Sequence, residues 1–140
     1  MRLALRQAFI LALLALLPAG LAALLHPKRP SFSDRLHEGE ISVEVAQRNP
    51  AGYLWIDARS VADYENRHVP SSLPLNEDEW VNLLPAVLEV WSSGKPVIVY
   101  CDSRRCRASE DVAKRLREFN LAPVFVLKGG WEAWQAAQEK

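Results

Sequence analysis

The chain has 140 residues, room for one ordinary domain. Its 17 Lys and Arg balance 17 Asp and Glu, so it lacks the basic excess of a general nucleic-acid binder, and no nucleic-acid partner is expected. With 49% hydrophobic and 24% charged residues it has the balance of a folded protein, while two cysteines exclude a multi-disulfide scaffold and a four-cysteine zinc module.

Ala8 to Leu25 carries no charged side chain and is mostly Leu and Ala. Arg2 and Arg6 precede it, and His26, Lys28 and Arg29 follow it. The stretch sits at the lower limit for crossing a bilayer, which takes about 20 residues. It also has the parts of a secretory signal: a basic end, an apolar run to Leu17, a break at Pro18, and small residues at Gly20 and Ala22. Residues 1–25 are therefore read as a signal peptide or a membrane anchor, with contact to the membrane through residues 8–25. A core helix would rarely lack any polar face. The domain is expected outside the cytoplasm, anchored to or secreted across the inner membrane, although basic residues at both ends make the flanking charges a weak guide. Residues 26–37, with Pro27 and Pro30, read as a linker, and residues 38–140 as the domain.

Ser42 is placed to cap a short helix containing Glu44 and Val45. Tyr53 to Asp57 is a compact apolar run and reads as a strand. Ser60 caps a brief helix to about Asn66, and Ser72 to Leu75 is extended because Pro74 disfavours helix before it. Between Glu77 and Trp91, the residues Trp80, Leu83, Leu84, Val87, Leu88 and Trp91 fall on one helical face, which Pro85 is expected to kink or divide. After a turn at Ser92 to Lys95, Pro96 to Tyr100 is the strongest strand: β-branched, uncharged and short. Cys101 to Arg107 is a polar loop. Ala108 to Phe119 is a helix with Val112, Ala113, Leu116 and Phe119 on one side. Ala122 to Leu127 is a strand, Gly129-Gly130 a turn, and Trp131 to Gln138 a closing helix. Strands alternating with helices imply an α/β layer sandwich with a mainly parallel sheet.

In such a sheet, sites form at the carboxyl ends of strands. Cys101 stands there, in a loop that runs into a helix whose N-terminus favours negative charge. Arg104, Arg105 and Arg107 add full positive charges nearby. This setting predicts a lowered thiol pKa at Cys101 and a nucleophilic sulfur beside an anionic substrate. The alternative is an inert cysteine with a solvated charge run.

These motifs together resemble a rhodanese-type sulfurtransferase domain over about residues 38 to 138. Trp55 to Arg59 resembles the family's strand ending in Asp-x-Arg. Tyr64 to Pro70 is similar to its Gly-His-Ile-Pro signature, with Arg67 in place of glycine and Ser71-Ser72 where Gly-Ala is common. Val97 to Cys101 resembles the strand leading to the catalytic cysteine, and Leu127 to Trp134 the closing motif. The resemblance implies a rhodanese-like three-layer sandwich and a persulfide mechanism. Cys101 would take the sulfane sulfur of a small anionic donor such as thiosulfate and pass it to cyanide or a protein thiol. Asp102, Ser103, Arg104, Arg105, Cys106 and Arg107 would bind the substrate through loop N–H groups and arginines. No cofactor is implied.

The loop departs from the family pattern, with Arg104, Cys106 and Arg107 where glycine, arginine and serine are common; Ser109 is the candidate for the displaced serine of a longer loop. Three further readings stay open. Cys101-x5-Arg107 matches the spacing of cysteine phosphatases and suggests a phosphatase or arsenate-reductase-like enzyme, although Tyr100 and Ala108 stand where that pattern has histidine and Ser or Thr. Cys106 could act as a resolving thiol towards a persulfide or sulfenic acid on Cys101, or merely pack beneath the loop. A non-catalytic binding module is the third. No metal site is expected, since the cysteines lack a nearby histidine pair. Asp57, Arg59 and His68 read mainly as structural, and Trp131 and Trp134 as core.

Overall fold

Three uncharged runs form the middle of one parallel sheet. In the computed structural model, which describes residues 36–103 and 106–139, these are β2 (Leu54–Asp57), β4 (Val97–Tyr100) and β5 (Val124–Leu127). β2 and β4 are buried at every position, as strands covered on both faces must be. Two short edge strands, β1 (Glu40–Ile41) and β3 (Leu73–Pro74), complete the order β1-β5-β4-β2-β3, and every pairing is parallel. The register sets Asp57 beside Tyr100 at the carboxyl ends of β2 and β4. The signal or anchor at residues 1–25 and nearly all of the linker lie outside the described residues. Among the described residues, no helix is long and apolar enough to cross a membrane.

Helices cover both faces. One core combines Leu54, Ile56, Val97, Val99 and Cys101 with α3 (Trp80–Val90) and α4 (Ala108–Glu118). The other combines Trp55, Ile98 and Tyr100 with α1 (Val43–Ala46) and α5 (Gly130–Gln138). Side chains alternate across a strand, so adjacent Tyr100 and Cys101 face opposite layers. The fold is the expected three-layer α/β sandwich.

Local chemistry explains the helix ends. The Ser42 hydroxyl accepts from the Val45 N–H, and the Ser60 hydroxyl accepts from the Asp63 N–H at the start of α2 (Val61–Asn66). Glu110 and Asp111 lie in the first turn of α4 and Arg115 and Arg117 in its last, the arrangement that complements the helix dipole.

Three expectations need correction. Pro85 does not divide α3. It removes the partner of the Val81 carbonyl, but Val81 is 80% exposed, so water can replace that bond. Leu88 and Phe119 are exposed rather than core. Leu88 lies at the edge of the apolar arc of α3, and Phe119 is already past the last turn of α4, where its ring packs 6.0 Å from Trp80. β1 is the strand that local pattern did not signal. It is two residues long and exists through pairing with Val126 and Leu127.

Candidate active site

Cys101 follows the last residue of β4, near the centre of the sheet, and is 1% exposed. Its position is fixed from an element far along the chain. The Trp131 N–H donates to the Cys101 carbonyl at 2.7 Å, and the Glu132 N–H donates to the Asp102 carbonyl at 3.0 Å. Two otherwise unpaired N–H groups of the first turn of α5 are thus used to hold the start of the loop. This close approach requires Gly130. Its φ is +57°, and a Cβ there would run into the Cys101 carbonyl oxygen. The Gly129-Gly130 doublet was visible in the sequence as a turn; its role as the seat of the loop was not.

Beneath the loop lies a charged network. Arg59 Nη2 donates to Asp57 Oδ2 at 2.7 Å and Arg59 Nε to Asp57 Oδ1 at 3.0 Å. The Arg59 Nη2 also donates to the Arg67 carbonyl at 2.6 Å. The guanidinium carbon lies 4.7 Å from the Trp131 ring centre and 5.7 Å from that of Tyr100. Burial opposes the charge of Arg59, but the Asp57 hydrogen bond and charge outweigh it and hold its pKa above the usual value. The Tyr100 hydroxyl donates to Asp57 Oδ2 at 2.7 Å and accepts from the Val69 N–H at 3.0 Å, with Ser72 Oγ 3.1 Å away. Burial, reinforced by the Asp57 carboxylate, raises the Tyr100 pKa far above that of a free phenol. Asp57 and Arg59 have the structural role expected of them, and they also support the loop. His68 is structural too: its Nδ1 lies 2.7 Å from the Tyr64 carbonyl, and its ring stacks on Tyr64 with 4.0 Å between centres.

The loop brings together some of the expected site residues. Asp102 is exposed, with Oδ1 3.8 Å from Arg59 Nη1. Partial burial raises its pKa; Arg59 pulls the other way, and Asp63, Asp57 and Glu132 raise it further. The Ser103 carbonyl accepts from the Cys106 N–H at 3.1 Å. Cys106 is half-buried, and its sulfur is bonded to that of Cys101, with the Cα atoms 6.3 Å apart. Cys101 therefore stands in its disulfide form, and the expected thiolate belongs to the reduced form. Arg107 is exposed at the entrance of α4, where its carbonyl accepts from the N–H groups of Glu110 and Asp111. Ser109 is buried in the first turn of α4. Arg104 and Arg105 lie outside the described residues.

Trp134 is core, as predicted, and packs 5.0 Å from Trp55. Trp131 is only half-buried. Beyond supporting Arg59, it lines a cavity of about 320 Å³ together with Arg67, His68, Pro70 and Trp134. Among the described residues, no group of three or more His, Cys, Asp or Glu is placed to hold a metal ion.

Residues 42–137 match the model of the rhodanese-like domain family, so the chain belongs to that family. It is 34% identical over 80 residues to the thiosulfate sulfurtransferase GlpE of Coxiella burnetii, covering 57% of this chain and 69% of that one. A solved structure from Bacillus halodurans superposes with a TM-score of 0.62 at 20% identity, over 71% of this chain and 72% of the other. A rhodanese-related protein from Thermoplasma volcanium gives 0.56 at 17% identity, over 70% and 91%. Likenesses at these identities concern the fold.

Proposed function

We propose that this protein is a sulfurtransferase in which Cys101 carries sulfane sulfur as a persulfide. The observation that carries the reading is the seat of Cys101. It lies at the carboxyl end of β4, with its carbonyl tied to the first turn of α5. Such a position fixes the main chain of a nucleophile at the head of a helix that favours an anion. The likeness to a thiosulfate sulfurtransferase supports the same chemistry. In the forward step, the Cys101 thiolate attacks the outer sulfur of thiosulfate and sulfite leaves. A thiophilic acceptor, cyanide or a protein thiol, then takes the sulfur and restores the thiolate. Arg104, Arg105 and Arg107 would neutralise the donor.

From the uncharged run Ala8 to Leu25 we also propose that residues 8–25 contact a membrane and that the domain lies outside the cytoplasm. Fractionation of the full chain and protease protection in spheroplasts test this directly; a domain digested only after the spheroplasts are lysed would be cytoplasmic.

The catalytic reading is tested by release of sulfite. The full chain, in mild detergent and reduced beforehand, is mixed with thiosulfate. One sulfite per chain is expected, and none from Cys101→Ser. Aryl phosphate hydrolysis without sulfite release, lost on Arg107→Lys, would replace the proposal with a phosphatase. Absence of both activities would leave a binding module.

A further inference from the structure

The Cys101–Cys106 bond gives the second cysteine a chemical task. We propose that Cys106 is a resolving thiol that expels the sulfane sulfur of a Cys101 persulfide as hydrosulfide, so that the protein also reduces its donor. This inference rests on the sulfurtransferase reading and specifies the fate of the transferred sulfur.

A persulfide has two sulfurs open to attack, and the outcome depends on which one is reached. Attack on the outer sulfur moves it to the attacking thiol. Attack on the inner sulfur, Cys101 Sγ, expels the outer one. The structure joins Cys106 directly to Cys101 Sγ, so the inner sulfur is the atom within its reach. The Cα separation of 6.3 Å lies within the range of about 4.4–6.8 Å that disulfides accept. Cys106 also precedes the first residues of α4, where the helix N-terminus favours a thiolate.

The step balances as follows. Thiosulfate and the Cys101 thiolate give the Cys101 persulfide and sulfite. The outer sulfur of the persulfide takes up one of the two protons given up by the thiols, the other going to solvent; the Cys106 thiolate then attacks Cys101 Sγ, the bond to the outer sulfur breaks, and hydrosulfide leaves with that electron pair. The two cysteine sulfurs are oxidised by two electrons, and the sulfane sulfur is reduced by two. A dithiol reductant, small or protein-borne, exchanges with the Cys101–Cys106 disulfide and returns both thiols. Cys101 is 1% exposed while bonded, so the oxidised protein is closed to donor until that exchange occurs.

The experiment uses the full chain in mild detergent, reduced with dithiothreitol, freed of it under anaerobic conditions and mixed with thiosulfate. Sulfite, hydrosulfide and intact mass are followed together. Wild type should release one sulfite and one hydrosulfide per chain and lose two hydrogens, with no loss when thiosulfate is omitted. In Cys106→Ser and Cys106→Ala, hydrosulfide released per sulfite should fall at least about tenfold below wild type, and each chain that has released sulfite should keep one added sulfur atom. Two variants and a melting curve for each separate lost chemistry from lost folding. If wild type keeps the added sulfur as the variants do, the resolving role is overturned and the sulfurtransferase reading stands. If neither wild type nor the Cys106 variants accept sulfur from thiosulfate or from inorganic polysulfide, both readings fall.

Discussion

The N–H of Trp131 donates to the carbonyl of Cys101 across 2.7 Å, joining the last helix to the residue that follows central strand β4. The contact depends on Gly130, whose missing side chain lets the two backbones meet. Gly130→Ala should cost at least about 1–2 kcal/mol for the left-handed backbone alone. It should also displace Cys101 and lower the rate of sulfite release by about tenfold or more. Gly129→Ala is the control. Its φ of +79° carries similar strain, but the added Cβ would meet Ala133 instead of Cys101. Thermal melts should show both losses, whereas sulfite release should separate them.

Asp57 and Arg59 form a buried ion pair with two-point geometry. Arg59→Met leaves the Asp57 carboxylate without its counter-charge and should destabilise the fold by about 3–5 kcal/mol. Asp57→Asn in the same chain should recover part of that loss, giving a clear coupling in a urea-denaturation cycle. Simple addition of the two single effects would show that the pair does not act as a unit. Arg59→Lys should fall between wild type and Arg59→Met, because lysine restores the charge but not the fork or the stacking on Trp131.

Tyr100 gives the fold an alkaline limit. Its folded pKa is raised, so its contribution is complete below the unfolded phenol value of about 10 and is lost as pH rises towards the folded value. Over that interval stability should fall by about 1.4 kcal/mol per pH unit from this group. Tyr100→Phe should remove that slope. At neutral pH it should cost about 1–3 kcal/mol, because Asp57, the Val69 N–H and Ser72 each lose a hydrogen-bond partner. Denaturant midpoints of both proteins between pH 8 and about 11 check the difference.

Asp102 places a carboxylate one residue from the proposed nucleophile Cys101, against the approach of an anionic donor. Asp102→Asn should raise the second-order rate with thiosulfate by roughly 3- to 10-fold at neutral pH and low salt. The Asp102 pKa lies above the ordinary carboxylate value, so falling pH removes the same charge from wild type. The ratio of variant to wild-type rate should therefore shrink towards one as pH falls through that raised value. A ratio independent of pH would mean that Asp102 does not repel the donor. Taking the ratio cancels the titration of the Cys101 thiol common to both proteins.

Much of this could be read along the chain because the responsible forces act locally. The buried runs at Leu54–Asp57, Val97–Tyr100 and Val124–Leu127 are strands by composition, Ser42 and Ser60 are caps by spacing, and Cys101 follows the strongest strand. Those features determined the layered fold and the candidate nucleophile. Tertiary structure decided what depends on residues distant in sequence. Asp57 meets Tyr100 through strand register, Gly130 meets Cys101 through helix docking, and two-residue β1 exists through β5. The pairing of Cys101 with Cys106 is close in sequence yet was equally undecided, because a five-residue separation permits many loop paths and does not fix the distance between the sulfurs. Local sequence sets which backbone shape each segment favours; packing sets which distant groups those shapes bring within bonding distance.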